Sequence, residues 1–412
     1  MITLRLKPRE ERRVRAGHLW VFSNELQSGA EAEGRPREDA EAGVPPEAAP
    51  RNFRDIPAGS LCRLLDSRGK SLGLGYVNPK TLLAVRLLST GADTVIDGDW
   101  FARRIAAALA LRQRLYPSPY YRLVHGEADG LPGLVIDRFG EVCVVQIGTA
   151  GMENLKDCVV EGLQRVLQPR GILFRNDVPM RELEGLPAYV EKIGEVPEQI
   201  EIDESGVRFR VPLVGGQKTG WFYDQHDNRD RLARYARGQD VLDVFSYVGG
   251  WSLRSAAAGA RSVTCIDSSQ PALDAAQASA ALNGHVLETI RDDALAAMKA
   301  LRAAGRQFGL VVVDPPALIK RKKDYEAGLE HYAALNRAAI QLLPADGFLI
   351  ACSCSHHLEP EALQRILLRE ARHAGRQLQI LEQGAQSADH PVHPAIPETS
   401  YLKAFYCRVL QA

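Results

Sequence analysis

No apolar run in this 412-residue sequence is long enough to cross a bilayer, and the opening Met1-Ile2-Thr3-Leu4-Arg5 lacks a secretory signal's apolar stretch. A cytoplasmic protein is expected. Paired cysteines are missing as well. The seven present (62, 143, 158, 265, 352, 354 and 407) are odd in number and sit mostly in apolar, strand-like runs. That excludes a disulfide framework and suits a reducing compartment, with most thiols acting as small core residues. No excess of charge exists, since 51 basic residues face 51 acidic ones. Contact with a polyanion must therefore come from local patches. Also absent is G-x-G-x-x-G, the turn that cradles a dinucleotide pyrophosphate.

What is present implies more than one hydrophobic core, because this length exceeds an ordinary single domain. Residues 1–90 carry short strand-like runs at 19–22, 60–65, 72–76 and 82–88, split by turn signals such as Asp66-Ser67-Arg68-Gly69 and Asn78-Pro79. That spacing suits a small β-barrel. Within it, 27–55 is rich in Ala, Glu, Pro, Gly and Arg with almost no large apolar residue, and we expect a disordered insertion there. Residues 91–191 read as an α+β middle domain. A helix at 99–116 ends at Pro117, strands follow at 134–137 and 142–147, then a helix at about 153–167 and a strand at 171–176. From 192 to 412 we expect an α/β domain whose strands, at 241–244, 262–266, 310–313 and 348–351, alternate with helices in a parallel sheet.

The first of these strands runs Val241-Leu242-Asp243-Val244 into Phe245-Ser246-Tyr247-Val248-Gly249-Gly250, with a helix starting at Trp251. Small residues let the backbone approach a ligand, and the helix N-terminus offers free N–H groups. The next strand ends on Asp267, about 20 residues past the glycine turn, where an acidic side chain accepts from ribose hydroxyls. Asp293 follows the next helix and is assigned to the adenine amino group. Any doubly wound fold could use such a turn for packing alone, and a dinucleotide enzyme is the near competitor. S-adenosylmethionine carries no phosphate and needs only this looser turn, so it is the expected cofactor. The stretch Gly215-Gly216-Gln217-Lys218-Thr219 is not a phosphate loop, since Gln217 replaces the required glycine.

Two further strand ends carry chemistry. Val313-Asp314-Pro315-Pro316 stiffens a turn and aims the Asp314 carboxylate and the Ala317 carbonyl at a flat substrate, although a plain strand-ending turn would look the same. Ala351-Cys352-Ser353-Cys354-Ser355-His356-His357 allows three readings. The thiols could be structural. With the two histidines they could bind zinc, but no second pair at finger-like spacing exists, and no metal is expected. Or Cys354, nearer the ligand edge, is a nucleophile. Carbon 5 of a pyrimidine reacts poorly with a methyl sulfonium, and thiolate addition at carbon 6 activates it, which favours the last reading.

The chain resembles the PUA-domain class I methyltransferases that make 5-methylcytosine in large-subunit ribosomal RNA. The resemblance rests on residues 14–22 (Val-Arg-Ala-Gly-His-Leu-Trp-Val-Phe) and on Glu127-Ala128-Asp129-Gly130-Leu131-Pro132-Gly133-Leu134. Gly215–Gly220, Asp224-Gln225-His226-Asp227-Asn228-Arg229, Asp389-His390-Pro391, Pro397-Glu398 and Tyr401-Leu402-Lys403 complete it. It implies a Rossmann-like methyltransferase domain preceded by a PUA-like barrel and a small α+β domain. It further implies that Asp224 and Gln225 hold the cofactor, that Cys354 is the attacking thiol, and that Glu398 removes the carbon 5 proton. Leu318 stands where an aromatic residue often follows the Asp-Pro-Pro turn, a departure from the pattern.

For RNA, which the resemblance implies is 23S rRNA, the candidate contacts are Lys320, Arg321, Lys322 and Lys323 beside the Asp314 loop, with Arg13 and Arg15 in a basic N-terminal arm. A solvated surface is the bland alternative for each run. A homodimer is left open. Two other functions also stay open: methylation of an exocyclic nitrogen without an adduct, and a non-catalytic RNA-binding assembly factor.

Overall fold

The computed structural model describes residues 1–27 and 52–412. Most of the expected insertion, 28–51, lies outside the described residues. Its C-terminal edge belongs to the fold: Asn52 accepts from Arg54 N to cap the turn Phe53–Asp55, and Ile56 is buried. Two compact units result. One comprises residues 1–196 with 389–399, and the other 197–388 with 400–412.

The first unit holds two cores. Five strands in the order Ile2–Arg5, Ser60–Leu65, Ser71–Val77, Leu83–Ser89, Trp20–Phe22 enclose Leu6, Val21, Cys62, Leu64, Val77 and Val85. The strand Ile2–Arg5 was not expected from the sequence; it is short and gains its identity by pairing in parallel with Ser60–Leu65. A second five-stranded sheet runs from Tyr189–Gly194 through Gly171–Asn176, Val142–Ile147 and Leu134–Phe139 to Tyr120–His125. Helices Gly98–Leu115 and Lys156–Val166 pack together beside it. They meet so closely that a Cβ on Gly162 would lie 2.8 Å from the Phe101 Cβ. The one helix expected at 153–167 is broken into Ala150–Asn154 and Lys156–Val166.

Residues 389–399, read from the sequence as part of the catalytic domain, belong to this first unit instead. The reason is polar. Asp389 accepts from Arg122 N at 2.7 Å, and its carbonyl accepts from Arg112 Nη2 at 2.8 Å. Arg112, fully buried, also forks onto both oxygens of Asp129.

In the second unit a hairpin, Gln199–Glu204 with Val207–Pro212, stands apart from the main sheet. The main sheet has seven strands: Asp240–Val244 (β1), Ser262–Asp267 (β2), Glu288–Arg291 (β3), Leu310–Val313 (β4), Gly347–Ser353 (β5), Arg376–Gly384 (β6) and Lys403–Gln411 (β7). Their order is β3-β2-β1-β4-β5-β7-β6. β1 to β5 pair in parallel, as expected, whereas β7 is antiparallel to both β5 and β6. The all-parallel expectation therefore fails at one edge. The chain passes from β6 to β7 without a crossover α-helix, and strands joined in that way pair antiparallel. Among the described residues no helix is long and apolar enough to cross a membrane.

Candidate active site

A cavity of about 570 Å³ lies at the carboxyl ends of β1, β2, β4 and β5, with the strand order reversing between β1 and β4. Open α/β sheets bind ligands at this point because the loops diverge there.

The turn after β1 is strained. Phe245, Tyr247 and Gly249 have φ of 67°, 49° and 82°, and a left-handed conformation at a non-glycine residue costs about 1–3 kcal/mol. Hydrogen bonds hold it. Phe245 N and Ser246 N both donate to Ile266 O at 3.0 Å, and Tyr247 N donates to Asp267 Oδ2 at 2.9 Å. Gly249 caps the helix Gly250–Ala257, where a Cβ would meet Leu253 Cδ1 at 2.7 Å in addition to the positive φ. The outcome is a buried Ser246 hydroxyl on the cavity wall with no protein partner among the described residues. Such a group is costly unless something else satisfies it, which fits a polar ligand. Asp267 accepts from Tyr247 N and from Ser269 N at 2.9 Å, one bond per oxygen, leaving lone pairs for ligand hydroxyls.

Asp314 forms the opposite wall. Gln225 Nε2 donates to both its oxygens at 3.0 Å, and Trp251 Nε1 donates to Oδ2 at 3.0 Å. Burial pushes its carboxyl up to about 6, with the Trp251 bond pulling down and the Asp224 carboxylate adding to the rise. Asp224 is itself buried and accepts from Lys218 Nζ at 3.0 Å and Tyr401 OH at 2.6 Å. The Lys218 ammonium sits 4.2 Å from the centre of the Phe222 ring.

Cys354 lies one residue past β5, part-exposed on the cavity wall, with Sγ 3.9 Å from Pro315 O. Burial pushes its thiol up to about 11; Lys218 works against that rise, and Asp314 and Asp224 reinforce it. Its flanks are pinned. Ser353 Oγ donates to Tyr332 OH at 2.8 Å, and Tyr332 OH and Ser355 Oγ share a bond of 2.9 Å. Ile319 N donates to Ser355 Oγ at 3.0 Å, tying the Asp314 loop to the Cys354 loop. Cys352 is enclosed beneath, its thiol driven up by burial. Among the described residues no group of three or more His, Cys, Asp or Glu side chains could hold a metal ion.

The structure thus brings together Asp224, Gln225, Phe245, Ser246, Asp267, Asp314 and Cys354. Other expected residues lie elsewhere. Asp243 is enclosed under the turn, accepts from Ser252 Oγ at 2.5 Å, and is pushed by burial up to about 7. Asp293 is outside the cavity lining and caps the helix Ala294–Ala303, its Oδ1 accepting from Leu295 N and Ala296 N. Arg13 and Arg15 are not free cations. Arg13 donates to both oxygens of Glu25 at 2.7 and 2.8 Å, and Arg15 pairs with Asp66 at 2.5 Å. Lys320, Arg321, Lys322 and Lys323 are all exposed. Glu398 lies in the turn Pro397–Thr399 of the first unit. There the His18 imidazole is held below its usual range by burial and Arg13, with Glu398 acting in the opposite sense.

Sequence reasoning missed the aromatic and cationic lining: Lys218, Trp221, Phe222, Tyr247 and Trp251. Lys218 stood in the quoted Gly215–Gly220 motif, which was the available signal. Tyr247 carries that loop, since its OH donates to Gly220 O at 3.1 Å and accepts from Gln217 N at 3.2 Å.

A parallel sheet with an added antiparallel strand, a strained turn after β1 and an acidic end to β2 define the class of S-adenosylmethionine-dependent methyltransferases. Residues 187–408 match the S-adenosylmethionine-dependent methyltransferase family, and residues 4–90 match a PUA-like domain. Ribosomal RNA large subunit methyltransferase I of Klebsiella pneumoniae (strain 342) is 36 % identical, covering 98 % of this chain and 97 % of its own. Its namesake from Erwinia tasmaniensis is 36 % identical over 99 % of this chain and 100 % of its own. The solved structure of SMU.776 complexed with SAH superposes with a TM-score of 0.80 at 20 % identity, covering 99 % of this chain and all of that one. The chain belongs to the family of S-adenosylmethionine-dependent methyltransferases that includes these enterobacterial proteins, and its cofactor is S-adenosylmethionine.

Proposed function

We propose that this protein methylates carbon 5 of a cytosine in large-subunit ribosomal RNA, in the cytoplasm, through a covalent adduct with Cys354. The observation that carries the reading is Cys354 on the wall of the same cavity as Asp314 and the strained turn after β1. The names of the relatives support the RNA class.

Bound S-adenosylmethionine supplies an electrophilic methyl group. Ser246 and Asp267 are proposed to hold it, with Asp224 and Gln225 ordering the wall between it and Asp314. The Cys354 thiol gives its proton to cavity water, and the sulfur pair forms a bond to carbon 6 of the base. The carbon 5–carbon 6 π pair moves onto carbon 5, which takes the methyl group. Asp314, whose carboxyl burial raises to about 6, can in its protonated form donate to ring nitrogen 3, where negative charge spreads during addition. Loss of the carbon 5 proton then returns its pair to the ring and expels the thiolate. Glu398 is the proposed acceptor of that proton, on the family resemblance alone. Mapping 5-methylcytosine in 23S rRNA from cells with and without the gene tests the reading. One site should disappear with the gene, and an unchanged map would refute the assignment.

Lys320, Arg321, Lys322 and Lys323 follow the Asp314 loop, have no acidic partner among the described residues and are proposed to meet RNA phosphates. Neutralising all four should weaken RNA binding and flatten its logarithmic dependence on salt, because fewer counterions are released. An identical slope would make the run an ordinary solvated surface.

A further inference from the structure

Lys403 is a buried cation that meets no counter-ion among the described residues. It is 6 % exposed, at the start of β7, and pairs with no carboxylate among the described residues. Its one hydrogen bond runs from Nζ to Ser355 O at 2.7 Å. The register of β5 and β7 sets Lys403 opposite Ser353, so the side chain extends from the level of residue 353 to the carbonyl of residue 355. Paired residues share a sheet face, so the stem rises on the Ser353 side and its ammonium ends on the peptide that follows Cys354. Burying an ammonium without a partner is expensive, and such a charge persists where something repays the cost.

The groups that act on Lys403 are few. Burial brings its ammonium down to about 8, and only Glu359 and Cys354, when negative, act to hold the proton on. Glu359 is exposed, at the start of the helix Pro360–His373. From the other side, Cys354 faces Lys218, which favours its thiolate, and Asp314 and Asp224, which disfavour it. A thiol surrounded by two carboxylates and raised by burial is a weak nucleophile at neutral pH. A second positive charge is what the site needs.

We infer that Lys403 is a positioning residue that fixes the peptide after Cys354 through Ser355 O and supplies the buried positive charge that stabilises the Cys354 thiolate. The inference rests on the reading of Cys354 as the attacking thiol, but it makes a claim about the free protein. No bond to carbon is made in this step. The S–H bond breaks, its pair stays on sulfur, the proton goes to cavity water, and the ammonium keeps its own three hydrogens.

Alkylation by iodoacetamide, read by mass spectrometry on the peptide carrying Cys354, reports the thiolate without RNA or methyl transfer. Lys403→Met is close in shape to the lysine stem and should fold; bound S-adenosylhomocysteine and the melting temperature check that it does. Its Cys354 should be alkylated about tenfold more slowly than in the natural protein at pH 7.5, with the pH profile displaced upward by about one unit. Lys403→Arg should restore the profile, and above pH 9 should be at least as fast, because a guanidinium does not deprotonate. An unchanged profile in Lys403→Met would overturn the inference. So would a slowed profile that Lys403→Arg leaves slow while both variants bind S-adenosylhomocysteine normally, since the lysine would then serve structure and not charge. If instead the alkylation result holds but Cys354→Ala retains full methylation, the electrostatic claim stands and the nucleophile reading fails.

Discussion

RNA carrying 5-fluorocytosine at the target position is expected to trap this protein as a complex that survives denaturing electrophoresis. Addition of Cys354 to carbon 6 and methylation at carbon 5 both proceed with fluorine in place of hydrogen. The adduct then cannot collapse, because fluorine does not leave as a cation the way hydrogen leaves as a proton, and the thioether persists. Full yield should require S-adenosylmethionine. Cys354→Ala should lose both adduct and turnover, a fall of several orders of magnitude, since the route then lacks its nucleophile. Cys352→Ala should retain activity and lose only packing, at about 1 kcal/mol for a small buried side chain. Glu398→Gln should let an adduct accumulate on natural RNA if Glu398 takes the carbon 5 proton. A fully active Cys354→Ala protein would exclude the covalent route, and methylation of an exocyclic nitrogen beside Asp314 would take its place.

The second large effect is on stability. Glu204 and Arg229 are each 2 % exposed and meet through two bonds of 2.6 Å. Trp221 Nε1 donates to Glu204 Oε2 at 2.9 Å, and Arg229 Nη2 donates to Phe222 O at 2.9 Å. The guanidinium also stacks 4.6 Å from the centre of the Trp221 ring. Burial opposes the Glu204 charge, yet Arg229 holds the carboxyl below its usual range. This pair fastens the hairpin of Gln199–Glu204 and Val207–Pro212 to the helix His226–Ala236 and to two cavity-lining aromatics. Arg229→Met leaves a buried carboxylate and should destabilise the second unit by roughly 3–5 kcal/mol. Glu204→Leu should cost a similar amount by stranding the guanidinium. The double variant should recover most of the loss, because no unpaired charge remains buried. Unfolding midpoints followed by tryptophan fluorescence compare the three. A double variant as unstable as the sum of the singles would show that the pair itself, and not the stranded charge, matters.

The sequence by itself determined the strands whose identity is local. β4 is a short apolar run, Leu310–Val313, and was legible to the residue. The helix cap at Ser269 is equally local, its hydroxyl accepting from Ala272 N with proline in the first turn. The cofactor turn, the Asp314 loop and Cys354 were legible because each lies at a strand end, where chain order alone brings residues to one edge of a parallel sheet. Long-range partners were not. β6 alternates Gln and Glu with apolar residues and reads as polar surface until β7 pairs with it. Asp293, expected to meet the adenine amino group, also caps its own helix through Oδ1, a role that its place before Ala294 settles locally. Arg13 and Arg15 looked like free cations, and only folding brings Glu25 and Asp66 to them. The same is true of Lys403, 49 residues from Cys354. Its charge is unremarkable in sequence, and becomes a constraint only when the β5–β7 pairing removes it from water with a carbonyl as its one partner. Local propensity and strand order are written in neighbouring residues; which charges are paired and which are left alone depends on solvent exclusion, and tertiary structure decides that.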